Sequence, residues 1–317
     1  MKIPVIVLFA PTATGKTALA IDLFGKSSLF CFKEKAELIS ADSMQVYKGL
    51  DIGTAKPTLK EREELPHHLL DIATPDVQFS VSDFVHLADS ACSDIFLRSK
   101  IPLIAGGTGF YIRNFILGLP KTPASDEKIR QMLKNRLEKE GKESLYKELC
   151  SVDFESAEKI NKNDVYRILR ALEVFYSTGK PRSSFKMSSE MRSLYDFKII
   201  VLDCDRDVLY KRINLRVEKM FSDGLYDEVK SLFLNGCTKD MPGMQAIGYR
   251  EWFTQDGKLR TDVQNVMLEI QHDSRKYAKK QYTYMADIPG AIRISLTEPE
   301  KMKERVFLEL QDFIKEN

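Results

Sequence analysis

Ala10-Pro11-Thr12-Ala13-Thr14-Gly15-Lys16-Thr17 follows the apolar run 5–10 and opens residues 17–24, which have helical spacing. The octet fits the phosphate-loop pattern GxxxxGK(S/T), with Ala10 where the first glycine stands. A strand buried on both faces delivers the chain into a turn. Its successive backbone N–H groups and the following helix N-terminus form an anion cradle. Lys16 adds a point charge, and the Thr17 hydroxyl can hold Mg²⁺. The β-carbon of Ala10 would crowd the turn only if position 10 needed a positive φ. The whole stretch Ala10 to Thr17 is therefore expected to bind a di- or triphosphate, without saying which bond breaks.

Working outward, apolar runs at 37–40, 68–72 and 102–105 read as further buried strands, the last ending in Gly106-Gly107-Thr108-Gly109. Residues 82–98 read as an amphipathic helix that Ser82 can cap. Strand alternating with helix predicts a P-loop NTPase-like, doubly wound, mostly parallel α/β sheet. After Pro120 the chain turns charged and helical in period. This predicts a mostly helical insertion domain over 120–195, between core segments 1–119 and 196–317. In the second segment 197–202 and 291–295 read as strands, and 205–220, 225–235, 263–285 and 300–314 as helices.

Of the 317 residues, 43% are hydrophobic and 30% charged, which suits about two globular domains with a net charge of only +2. Any surface that binds nucleic acid must then be a local basic patch. The five cysteines are scattered with no CxxC pair, as expected of reduced thiols in a cytoplasm. No apolar run approaches the roughly 20 residues of a membrane span. The first ten residues read as a strand, not a signal peptide.

At the end of the second strand lies Ser40-Ala41-Asp42-Ser43-Met44-Gln45-Val46-Tyr47, continuing to Pro57. Pro66-His67-His68-Leu69-Leu70-Asp71, Gly106-Gly107-Thr108-Gly109-Phe110-Tyr111 and Asn163-Asp164-Val165-Tyr166-Arg167-Ile168-Leu169-Arg170 follow. Then come Arg212-Ile213-Asn214-Leu215-Arg216, Gln245-Ala246-Ile247-Gly248-Tyr249-Arg250 and Arg275-Lys276-Tyr277-Ala278-Lys279-Lys280-Gln281-Tyr282. In this order, over nearly the whole chain, they resemble the tRNA dimethylallyltransferase family in its compact bacterial form. The resemblance implies transfer of a dimethylallyl group from dimethylallyl diphosphate to N6 of adenine 37, in tRNAs reading codons that begin with U.

The residues suit that chemistry. Adenine N6 is a poor nucleophile, and a base that takes its proton is typically worth about 10²–10⁴ in rate. Asp42 sits at a strand's C-terminal end on the phosphate-loop edge. On pattern alone it is equally a cap for the next segment or an aid to Mg²⁺; the resemblance makes it the base. Arg212 and Arg216 lie four apart and could share one helical face, or pair with Asp207 and Glu218. The resemblance favours Arg216 on the departing diphosphate, with Arg212 as the alternate. It also puts the Thr108 hydroxyl near the reacting adenine, where Gly106 and Gly107 would let backbone approach the substrate.

An adenine in a structured loop must be splayed out before its amine is reachable. The resemblance assigns Asp42, Ser43, Met44, Gln45 and Thr108 to the adenine, and Tyr166, Arg167, Arg170 and Arg130 to the anticodon stem-loop. Gln245, Gly248, Tyr249, Arg250 and Gln281 join them as tRNA contacts. Lys279 and Lys280, in a stretch interleaved with Tyr277, Tyr282 and Tyr284, suit phosphate and base contacts, or form one side of a solvated helix. Tyr166 and Tyr284 stand where the family commonly has glutamine and tryptophan. Three alternatives keep the same loop: a small-molecule kinase, an isopentenyltransferase acting on free AMP or ATP, and a nucleotide-gated RNA-binding protein. Monomer is the expected state.

Overall fold

The computed structural model describes residues 2–123, 126–295 and 299–317. Its contacts divide the chain into two units, Met1–Ile116 with Arg192–Asn317, and Leu117–Met191.

In the first unit the apolar runs become β1 (Ile3–Phe9), β2 (Ala36–Ser40), β3 (His67–His68), β4 (Ile101–Gly106), β5 (Tyr195–Asp203) and β6 (Ile292–Ser295). They form one sheet in the order β3-β2-β4-β1-β5-β6, and every pairing is parallel. Ile6 stands opposite Leu103, and Val7 opposite Ile199. Val5, Val7 and Phe9 on one face of β1 and Ile6 and Leu8 on the other are all buried, as strands covered on both faces require. The chain leaves β1 toward β2 and leaves β4 toward β5, on opposite sides. A crevice therefore opens at the carboxyl ends of β1 and β4, where doubly wound sheets hold ligands. This is the P-loop NTPase-like arrangement, and it is parallel throughout.

Helices α1 (Lys16–Phe24), α2 (Leu59–Glu64), α3 (Val81–Leu97) and α4 (Gly109–Leu117) precede the second unit. Helices α5 (Glu127–Val152), α6 (Phe154–Lys159) and α7 (Val165–Thr178) belong to it. Helices α8 (Arg206–Ser222), α9 (Leu225–Leu234), α10 (Val263–Ala286) and α11 (Pro299–Glu316) follow. One core packs Leu23, Phe24, Leu103 and Leu202 with Val306 and Leu310 of α11. A second gathers Tyr47, Leu50, Val217, Tyr249, Trp252 and Ile270 around the loop after β2.

Two expectations are corrected. The strand predicted over 68–72 stops after His68, because Leu69 (φ 64°) and Asp71 (φ 56°) take left-handed conformations that no extended strand allows. Helix α3 is capped by Ser80, not Ser82. The Ser80 side chain accepts from the Asp83 N–H and the Asp83 carboxylate accepts from Ser80 N–H, a reciprocal box that starts two residues earlier.

The second unit is helical, with no strand among its described residues. Helix α5 breaks at Gly141 (φ 79°). Leu133, Leu145 and Leu149 pack against Ile168, Ala171 and Leu172 of α7. Its bounds lie three or four residues before those predicted from composition. At the stem, Arg192 N–H donates to the Ile116 carbonyl at 2.9 Å.

Candidate active site

The loop between β1 and α1 takes left-handed φ at Ala13 (61°) and Gly15 (85°), and not at Ala10. The alanine in place of the first glycine is therefore unstrained. The cost, roughly 1–2 kcal/mol, falls on Ala13 instead. Lys16 curls back over the loop, its Nζ donating to the carbonyls of Ala10 (3.0 Å) and Pro11 (2.8 Å). Thr14 Oγ1 donates to the Pro11 carbonyl at 2.8 Å. Thr12 N–H donates to Gln281 Oε1 (3.0 Å), and Gln281 Nε2 donates to the Gly107 carbonyl (2.7 Å). One amide thus pins the loop after β1 to the turn after β4. A β-carbon on Gly107 would lie 2.3 Å from that Nε2, and one on Gly106 would lie 2.2 Å from the Ala41 carbonyl oxygen. The two glycines, expected to admit substrate, make room for Gln281 and for the neighbouring strand end.

Asp42 leaves the C-terminal end of β2. Its Oδ1 accepts from the N–H groups of Met44 (2.9 Å) and Gln45 (3.4 Å), so the carboxylate does cap the next turn. Oδ2 accepts no hydrogen bond from the described residues, and Asp42 lines the cleft. Capping and basicity are therefore compatible, one per oxygen. Ser43 N–H donates to Thr108 Oγ1 at 3.0 Å, fixing the Asp42 segment to the turn after β4. The Gln45 amide donates to the carbonyls of Thr54 (3.3 Å) and Ala55 (3.2 Å), and its oxygen accepts from Ser40 Oγ (3.0 Å).

Arg216 reaches the loop and Arg212 does not. Arg216 donates to Thr12 Oγ1 (2.7 Å) and the Thr54 carbonyl (3.3 Å), and pairs with neither Asp207 nor Glu218. The cleft face of α8 is Ile213, Arg216, Val217 and Met220. At 100° per residue Arg212 lies about 90° round from the centre of that face. Burial, then the Arg216 guanidinium, pull the Lys16 ammonium down to about 7, against the attraction of Asp42. Burial likewise lowers Arg216, with Asp42 opposing. Two cations crowded in one cleft mark a place for an anion.

The cleft has two unlike lobes. A cavity of about 280 Å³ is lined by Gly15, Lys16, Thr17, His67 and Gln281. One of about 230 Å³ is lined by Met44, Ile213, Val217, Met220, Ile247 and Ile270. Thr12, Asp42, Arg216 and Tyr277 line both, so charge, carboxylate and apolar wall meet at one point.

A family model described as IPP transferase matches residues 45–287. The chain belongs to the IPP transferase family. The tRNA dimethylallyltransferase of Geobacillus thermodenitrificans is 41% identical over 95% of this chain and 93% of its own. A solved full-length tRNA isopentenylpyrophosphate transferase from Bacillus halodurans shares 34% identity, with a TM-score of 0.68 over 99% of this chain and 98% of its own. A solved eukaryotic dimethylallyltransferase acting on tRNA gives 0.81 at 27% identity, over 100% of this chain and 80% of that one.

Not every residue expected to touch RNA has surface to offer it. Tyr249 is 0% exposed. Its phenol donates to Glu228 Oε1 (2.6 Å) and accepts the Gly53 N–H (3.1 Å). Gln281 is 2% exposed with both amide atoms used, and Gly248 is buried. Of these three IPP transferase motif residues, Tyr249 and Gly248 support the cleft from behind, and Gln281 lines its polar lobe with its amide already engaged. Gln245 and Arg250 are exposed and line the apolar lobe, Arg250 being tied to Glu251 and Asp273. Lys279 and Lys280 project from α10 into solvent. In the helical unit Tyr166 is 68% exposed, and Arg167 is exposed beside Asp164. Arg170 bonds the Pro123 carbonyl and Glu173, and Arg130 lies 3.6 Å from Glu127.

Tyr277 was visible in the sequence only as part of the basic–aromatic stretch. The structure sets it beside Thr108 and Gln281, where burial, then the Asp42 charge, push its phenol up to about 12. A signal existed: Ile270, Ser274, Tyr277 and Gln281 recur every three or four residues, a single helical stripe facing the cleft.

Proposed function

We propose that the chain transfers a dimethylallyl group from dimethylallyl diphosphate to N6 of adenine 37 in tRNAs reading codons that begin with U. Its relatives' activity and the family match support the reaction class. The observation that carries the reading is the junction of a cationic lobe and an apolar lobe at Asp42. The first suits a diphosphate. The second suits a five-carbon chain, whose burial is worth about 4 kcal/mol at ~0.8 kcal/mol per carbon.

In the reaction N6 attacks the first carbon of the dimethylallyl group. The carbon–oxygen bond to the diphosphate breaks, and its electron pair leaves with the diphosphate. The N6 proton passes to Asp42 Oδ2, while the Met44 and Gln45 amides hold Oδ1. The loop from Ala10 to Thr17 grips the leaving group through the N–H groups of residues 13–17, Pro11 having none and Thr12 giving its own to Gln281; with Lys16 and Arg216, this grip tightens as the charge grows. Thr108 acts through Ser43, holding the Asp42 segment against the turn. Tyr277 stays a neutral phenol at neutral pH and walls the junction.

The Thr17 hydroxyl, which makes no hydrogen bond among the described residues, is a hard oxygen donor on the polar lobe and fits Mg²⁺. Bound there with the diphosphate oxygens, Mg²⁺ would offset charge on the leaving group. Lys279, Lys280, Gln245, Arg250 and Ser43-Met44-Gln45 are proposed to grip the anticodon stem-loop. Tyr166, Arg167, Arg170 and Arg130 make the helical unit a second tRNA surface. The free cysteines suit a reducing cytoplasm, and the enzyme is proposed to work as a monomer. No described helix is long and apolar enough to cross a membrane.

Incubation with labelled dimethylallyl diphosphate, Mg²⁺ and unmodified tRNA, against AMP and ATP as rival acceptors, tests this. Label should pass to tRNA alone. Transfer to AMP would make the enzyme nucleotide-directed, and transfer of a γ-phosphoryl group to a metabolite would overturn the reading.

A further inference from the structure

His67 begins the short edge strand β3, and its ring borders the polar lobe with Lys16, Thr17, Asp42 and Gln281. Its Nδ1 lies 2.6 Å from the Leu65 carbonyl oxygen. A carbonyl only accepts, so Nδ1 carries the hydrogen. Nε2 is buried and has no hydrogen-bond partner among the described residues. A buried polar atom without a partner, on the wall of a cavity that awaits a ligand, needs explaining.

We propose that His67 is a diphosphate ligand: its ring takes a proton from solvent as the diphosphate binds, and Nε2–H donates to a phosphate oxygen. This rests on the polar lobe being the diphosphate site. In the neutral ring Nε2 is a bare lone pair, which would repel an incoming anion. Protonation turns it into a charged donor. The surroundings keep the empty ring neutral. Burial pulls it below its ordinary value, reinforced by Arg62 and His68 and opposed by the Leu65 carbonyl and Glu61. Across the lobe stand Lys16 and Arg216, only partly offset by Asp42, with Tyr277 uncharged. A bound diphosphate brings negative charge into that space and reverses the balance.

The test is calorimetry of inorganic diphosphate binding at pH 7.5, in buffers of different ionisation heat. This counts the protons taken up. His67→Asn keeps a donor for the Leu65 carbonyl and lacks Nε2. His67→Gln sets an amide N–H near the Nε2 position and does not titrate. Wild type should take up more protons than either variant. His67→Asn should bind about 10- to 100-fold more weakly, the range for losing one charged hydrogen bond. His67→Gln should recover part of that affinity without the extra proton. Unchanged tRNA affinity and thermal midpoint would show that a variant is folded. Wild-type affinity and proton uptake in His67→Asn overturn the proposal. If that variant does not fold, wild-type uptake in His67→Gln does the same. Failure of the wild type to bind diphosphate would instead sink the assignment of the lobe.

Discussion

Raising the pH should loosen the grip on diphosphate, and Lys16 sets the scale. With its ammonium near 7 in the empty cleft, about half the molecules lack that charge at neutral pH. A bound diphosphate favours the charged form, so the complex holds a proton that the free enzyme does not. Affinity therefore falls as pH rises above 7, by up to tenfold per unit until the ordinary lysine range is reached. Relative to the fully protonated enzyme, the weakening is about 11-fold at pH 8 and about 100-fold at pH 9. Lys16→Arg supplies the control, because a guanidinium stays charged throughout. The variant shares the ligand's own ionisation and that of His67, so the ratio of the two dissociation constants isolates Lys16. Titration of inorganic diphosphate at fixed ionic strength from pH 6 to 9 gives that ratio. Parallel curves for wild type and Lys16→Arg would refute the reasoning, and would mean that Lys16 keeps its proton beside Arg216 despite burial.

Asp42→Asn should lower the single-turnover transfer rate by about 10²–10⁴ while leaving tRNA affinity nearly intact; a lost affinity with an unchanged rate on bound substrate would remove Asp42 as the base. Lys279→Ala should weaken tRNA binding and shallow its log–log salt dependence by about one unit, as seen by filter binding across salt concentrations. Burial of the Glu37 carboxyl works to raise it, but hydrogen bonds from Arg98, His68 and Lys100 outweigh this and hold it at about 2. That contributes at most about 3 kcal/mol of stability above pH 4.5, lost as pH falls from 4.5 toward 2. Urea melts of Glu37→Gln should accordingly show less stability than wild type at pH 7 and a flatter acid limb.

The centre of the sheet was legible because β1, β2 and β4 are short, largely apolar runs ended by turn residues, a pattern set by burial on both faces. Where conformation depended on a remote partner, the sequence was silent. The Leu69–Asp71 bend follows from Asp71 being held by Lys56 and Arg62, at 2.6 and 2.8 Å, and a run of leucines gives no hint of it. Arg212 and Arg216 looked interchangeable because spacing says two residues share a face. Which face meets the cleft is decided by the packing of α8 on α10. Gln281 and Tyr249 sit inside motifs rich in polar side chains, and a polar residue type does not reveal whether its partner is RNA or backbone. The same blindness hid the Tyr277 role, because a tyrosine among lysines reads as surface until the helix is docked.

Gln281 has a consequence for timing. Its one amide rivets the turn after β1 to the turn after β4, two segments nearly a hundred positions apart. Their mutual order is therefore settled when the chain folds, before any substrate arrives. Little flexibility remains to be frozen in the encounter, so attraction between pocket and donor goes undiluted into reaching the transition state.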